Sequence, residues 1–165
     1  MKSLYQRFAG ASDFLQSPLL LIIRLFWGWQ FAQTGWGKLM HLDKTTQFFA
    51  SLHLPAPQVN AAAAGATECL GGLLLMLGLC SRGGAFALTV VMAVAYATAD
   101  KEALHAIFTD PDKFTGATPF LFLFAAVIVL AFGPGVFSLD RFVFGSGSSS
   151  SSKSAKPSNN AKNRK

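Results

Sequence analysis

Charge is the first thing this chain has little of. Of its 165 residues only 13% are charged, against about 25% in an ordinary soluble domain, while 52% are hydrophobic and the mean hydropathy is +0.40. That balance excludes an ordinary soluble enzyme domain. Cysteine is scarce too. Cys69 and Cys80 alone exclude a disulfide-stapled scaffold, a four-thiolate iron–sulfur cluster and an all-cysteine zinc site. They stand eleven residues apart, about 16 Å along a helix, so they cannot pair within one, and they read as small packing residues. Histidine is rare, and His41, His53 and His105 show no ligand spacing, so no metal site is expected. Phosphate-binding loops, nucleophile elbows and Cys-x-x-Cys pairs are missing as well.

What the chain does contain is long apolar runs. Pro18 to about Met40 is long enough to cross a hydrocarbon core, although Arg24, Gln30, Gln33 and Lys38 interrupt it. It starts too late and carries too much charge for a cleaved signal peptide. A second run, 59–80, is rich in Ala and Gly, with Glu68 as its single charge. The turn Ser81-Arg82-Gly83-Gly84 predicts a hairpin, so 84–99 returns antiparallel to it. A polar loop follows, then 119–137, apolar on every side and expected to face lipid.

These runs predict one all-α domain, a four-helix bundle integral to the membrane over residues 18–140. It follows an N-terminal segment, 1–17, and precedes a Ser/Lys-rich tail, 145–165. The net charge of +6 is concentrated in that tail, at Lys153, Lys156, Lys162, Arg164 and Lys165. It therefore gives no nucleic-acid signal, and its composition predicts disorder. Counting Lys and Arg near the span ends places both termini in the cytoplasm, which requires an even number of spans and agrees with four. The expected location is the plasma (inner) membrane, with the lipid bilayer as the first partner.

Within the first span Arg24, Gly28, Phe31, Gly35 and Lys38 recur at steps of four, three, four and three, a narrow stripe at about 100° per residue. Its glycines admit a second backbone, and Gly71, Gly72 and Gly78 offer the same on the second span. Glu68, near the middle of that span, needs a partner, because an ionised carboxylate in hydrocarbon costs several kcal/mol. Depths measured from the cytoplasmic ends put Arg24 within about 10 Å of it, so Arg24 is the expected partner, with Lys38 farther out. The two residues either clamp the helices together or line a polar pocket. Arg82 reads as a topology anchor that could also bind a headgroup or partner. Trp27, Trp29 and Trp36 read as packing and interface residues, or as a stacking surface for a quinone ring.

The run Arg24-Leu-Phe-Trp-Gly28-Trp-Gln-Phe-Ala-Gln-Thr-Gly35-Trp-Gly-Lys38-Leu39, followed by Glu68-Cys-Leu-Gly71-Gly72-Leu-Leu-Leu-Met-Leu-Gly78-Leu-Cys-Ser-Arg82, resembles the DoxX family of small four-helix membrane proteins. The resemblance covers about residues 18–140. It implies a link to membrane redox systems, since some relatives are named as subunits of quinol oxidase or thiosulfate:quinone oxidoreductase. Its motif positions carry over to Arg24, Lys38, Glu68 and Arg82. The expected function is an accessory subunit of a quinone- or thiol-linked redox system rather than a stand-alone enzyme. Quinone is the cofactor that the resemblance suggests, and redox proteins or a second copy of the chain are the expected protein partners. Two alternatives stay open: a small-solute or proton pathway, and a scaffold or assembly factor with no ligand.

Overall fold

The computed structural model describes residues 2–135 and 138–140, with side chains from Gln16 onward. The Ser/Lys-rich tail lies outside the described residues. Within them the chain is helical, with no strand. Four helices, α1 (Lys2–Met40), α3 (Pro57–Leu77), α4 (Ser81–Thr98) and α7 (Pro119–Phe132), cover the four apolar runs of the sequence. Three shorter ones, α2 (Leu42–Ser51), α5 (Lys101–His105) and α6 (Pro111–Gly116), lie in the connections. The first helix does not start at Pro18 but runs through it.

The long helices form a closed ring: α1 packs along α3, α3 on α4, α4 along α7, and α7 back on α1. The ring encloses Phe31, Leu75, Ala85, Leu88, Met92, Ala126 and Val129. Edge-to-face rings join α1 to α7, with Phe122 at 5.1 Å from Trp27 and 4.8 Å from Phe31. Outward, the helices present Ile22, Phe26, Trp29, Leu70, Leu73, Phe86, Leu121 and Phe124. A soluble monomer rarely exposes so continuous an apolar surface. The last helix is a partial correction to the sequence reading. It is apolar all round, yet Ala125, Ala126 and Val129 are buried in the ring, and only its other face turns outward.

Glycine sets how α1 and α3 meet. A Cβ on Gly28 would stand 2.8 Å from the Gly72 carbonyl oxygen, and one on Gly35 would stand 2.6 Å from that of Gly65. Contacts that close are impossible for any larger residue, so the backbones touch directly. The pairing of 28 with 72 and of 35 with 65 makes the helices antiparallel. Apolar burial drives little association between helices in lipid, so this close van der Waals fit carries the packing there.

The α3–α4 turn lies earlier than the sequence suggested. It is made by Gly78, Leu79 and Cys80, while Ser81 to Gly84 form the first turn of α4. Gly78 adopts the left-handed conformation (φ 71°), the Leu79 N–H donates to the Leu74 carbonyl (3.1 Å) and the Gly78 N–H to that of Leu75 (3.2 Å). This hydrogen-bond pair closes a helix where glycine permits φ > 0. Cys80 therefore lies beyond α3, not at its last turn. The carboxylate of Asp140 then accepts the N–H groups of Cys80 (2.7 Å) and Ser81 (3.0 Å), satisfying free donors at the start of α4.

The connection between α4 and α7 is ordered rather than an irregular loop. Tyr96 donates to the Phe114 carbonyl (2.8 Å) and stacks on its ring, Asp110 caps α6, and Lys113 bridges to Glu102 (2.9 Å).

Candidate functional site

The stripe on α1 ends in two cations with different surroundings. Arg24 is 1% exposed and lies at the α3–α4 turn. Its Nε donates to the Leu75 carbonyl (2.9 Å), Nη2 to that of Met76 (3.3 Å) and Nη1 to that of Pro134. The guanidinium thus joins the C-terminal end of α3, which carries partial negative charge, to the segment after α7.

Lys38, fourteen residues further along, donates instead to Oε1 of Glu68. The expected Arg24–Glu68 pair is therefore not formed, and the reason is register. Gly35 lies against α3 between Gly65 and Cys69, and Gly72 lies against α1 between Gly28 and Ala32, which brings Glu68 near the level of Thr34. At 1.5 Å per residue that is about 6 Å from the level of Lys38 and about 15 Å from that of Arg24. Depth measured from the helix ends missed this, because α3 stops at Leu77 while α1 extends well beyond the turn.

The pair is asymmetric. Glu68 is 1% exposed, whereas the Lys38 side chain is 33% exposed. Glu68 Oε2 is buried and meets no hydrogen-bond partner among the described residues. Leaving a buried acceptor unsatisfied costs about 1–3 kcal/mol, more for a charged group.

Lys38 and Glu68 lie in the wall of a cavity of about 670 Å³. Ala63, Ala64 and Thr67 of α3 form one side, Val90, Val91, Val94 and Ala95 of α4 another. Lys44, Thr45, Phe48 and Phe49 of α2 close a third, with Leu52, Leu54 and Pro55 beyond them. The lining is apolar apart from the ion pair and a few hydroxyl, amide and ammonium groups. Volume and lining both suit a small lipophilic molecule, for which pockets span about 300–1,000 Å³.

The structure brings Lys38 and Glu68 together and leaves Arg24 and Arg82 outside this cavity. Arg82 is exposed in the first turn of α4 and lies beside Gly133. Among the glycines, Gly28, Gly35 and Gly72 make the α1–α3 contact, Gly71 faces Leu88 of α4, and Gly78 closes α3. None of the three tryptophans lines the cavity. Its aromatics are Phe48 and Phe49 of α2, which the sequence reading passed over as a connection. The signal was there: Lys44, Thr45, Phe48, Phe49 and Leu52 recur at steps of one, three, one and three, one helical stripe.

A family model for DoxX matches residues 19–101. The chain belongs to the DoxX family. DoxX proteins are membrane proteins, and among the described helices Pro57–Leu77 is long and apolar enough to cross a membrane. The chain is also 32% identical over 126 residues to a Bacillus subtilis (strain 168) protein named "Putative oxidoreductase CatD", covering 75% of this chain and 86% of the relative. No solved structure matches it. The family match takes in Lys38, Glu68 and the whole cavity lining, so the site is built on the DoxX core.

Proposed function

We propose that this DoxX protein is an accessory subunit of a membrane redox system, and that the Lys38–Glu68 cavity holds the lipophilic carrier, of the quinone class, that links it to a partner enzyme. The observation that carries the reading is the combination of a largely apolar cavity of about 670 Å³ with an ion pair in its wall whose carboxylate is buried. A relative named as an oxidoreductase supports the redox setting. The described residues provide binding and orientation, and the electron chemistry belongs to the carrier and the partner.

In this reading the four long helices span the inner membrane with both termini in the cytoplasm, as the lysine and arginine count predicts. The cavity then opens in the half of the bilayer away from the cytoplasm, where carriers dissolved in lipid reach it. A ligand-free scaffold is less well supported. The glycine face it would offer to a partner is already taken up between α1 and α3.

Extraction from the native membrane into lipid nanodiscs, followed by mass spectrometry of bound lipids, carriers and proteins, tests the proposal. It predicts a carrier near one per chain together with a redox protein. A preparation holding ordinary lipids alone contradicts it.

A further inference from the structure

The charges around the cavity differ in what a ligand can reach. Among the described residues, Lys38, Lys44 and Glu68 are the charged members of its lining. Glu68 is sealed: Oε1 is held by the Lys38 ammonium and Oε2 is buried. The Lys38 side chain is partly exposed and keeps two ammonium protons beyond the one directed to Glu68. Lys44, in the first turn of α2, is exposed. The charges that a ligand can touch in this lining are therefore positive. The net charge has the same sign, whichever form the carboxyl takes. With Glu68 ionised the lining carries one net positive charge, and with Glu68 protonated it carries two. Asp43 and Asp100, next in sequence to lining residues, do not belong to the lining.

Resting on the carrier reading above, we infer that the cavity selects an amphiphile whose head is an oxygen anion, and within the quinone class a ring-hydroxylated quinone in its ionised form. A hydroxyl on a quinone ring is conjugated through the ring double bond to a carbonyl, so it is acidic like a carboxyl group and ionised at neutral pH. Its charge is shared by two oxygens, both acceptors, and a lysine ammonium offers donors alone. Because Glu68 balances Lys38, the charge left over in the lining is that of Lys44. The largely apolar walls weaken the screening of that charge relative to an open surface. Methylating the ring hydroxyl keeps the shape and greasiness of the molecule but removes its charge. The valines of α4 and the phenylalanines of α2 hold both forms alike, so discrimination falls on the lysines. A fatty-acid carboxylate presents the same head from another source.

The test uses the full-length protein in nanodiscs of phosphatidylcholine, a lipid with no net charge. Four probes with the same alkyl tail are titrated calorimetrically at neutral pH, with partition into protein-free nanodiscs subtracted: a 2-hydroxy-1,4-naphthoquinone, its 2-methoxy ether, an alkanoic acid and its methyl ester. The hydroxynaphthoquinone is expected to bind about fivefold or more tightly than its ether, the upper range for one exposed ammonium. In Lys44→Gln that preference should fall below about twofold, while the ether binds as it does to the wild type. Lys44 is exposed on a helix with no buried residue, so the variant keeps its fold, and the unchanged ether affinity verifies it. Equal binding of hydroxynaphthoquinone and ether to the wild type overturns the anion inference and leaves the carrier reading standing. A preference that survives Lys44→Gln overturns its assignment to the net charge of the lining. Binding of the alkanoate in preference to its ester, with neither naphthoquinone bound, upholds the anion selection and overturns the carrier reading. Binding of none of the four overturns both.

Discussion

Lys38 and Glu68, thirty residues apart in sequence, form an ion pair across a helix crossing that glycines hold at backbone contact. The geometry makes the lysine half-wet and the glutamate dry. The pair also stands in the wall of a cavity large enough for a small lipophilic molecule.

Removing one partner should cost more than removing both. Lys38→Met strands a buried carboxylate, and the expected loss of stability is about 2–4 kcal/mol. This is less than the ~3–5 kcal/mol of a fully buried pair, because Lys38 is partly exposed. Combining it with Glu68→Leu should recover most of that loss. Thermal unfolding in nanodiscs checks the order, and a double variant no better than Lys38→Met would contradict it.

The helix crossing predicts a contrast between two neighbouring glycines. Gly35→Ala pushes a methyl group into the Gly65 carbonyl and should destabilise by roughly 1–3 kcal/mol. At Gly37 a Cβ meets nothing within 4 Å, so Gly37→Ala should be neutral or stabilising by about 0.5–1 kcal/mol. Equal unfolding temperatures for the two variants would refute the close crossing.

Arg24 should behave as a clamp, separable from the cavity. Arg24→Lys keeps the charge but loses the planar fork that reaches three carbonyls, and is expected to lower stability by about 1–3 kcal/mol. Ligand affinity of the folded fraction should stay within about twofold of the wild type. A tenfold loss of affinity at unchanged stability would place Arg24 in the binding machinery instead.

Asp140 caps α4, so Asp140→Ala should cost about 0.5–2 kcal/mol and increase hydrogen exchange at Cys80 and Ser81. Unchanged exchange there would show that the cap does not hold the turn.

The outer connection carries a small pH dependence. The hydrogen bond from Lys113 holds the Glu102 carboxyl below its usual range, aided by the lysine charge. A group whose folded pKa is lowered adds stability above its unfolded pKa and loses it as pH falls through the folded value. Lys113→Met should therefore lower stability slightly near neutrality and match the wild type once Glu102 is protonated in acid. A difference between them that persists in acid would assign the effect to something other than the pair.

Much of this was legible in sequence because it depends on spacing within one helix. The stripe from Arg24 to Lys38 and the antiparallel return after the second span follow from helical period and turn residues. The partner of Glu68 did not, because it depends on register between two helices. Gly28, Gly35, Gly65 and Gly72 set that register by contact, and no count from a span end contains it. The cavity was hidden for a related reason. The short helix bearing Phe48 and Phe49 has no buried residue of its own, and its role becomes visible only where it lies over α3.

The central claim is that the carrier occupies the cavity walled by α2, α3 and α4, beside the Lys38–Glu68 pair. A photoreactive alkyl-hydroquinone, bound in nanodiscs and mapped by peptide mass spectrometry, tests it most directly. The account predicts labelling confined to Lys38 and residues 44–55, 60–68 and 90–99, and abolished when Ala64→Phe fills the cavity. Labelling spread over the outward faces carrying Phe26, Trp29 and Phe124, and unchanged by Ala64→Phe, would contradict it.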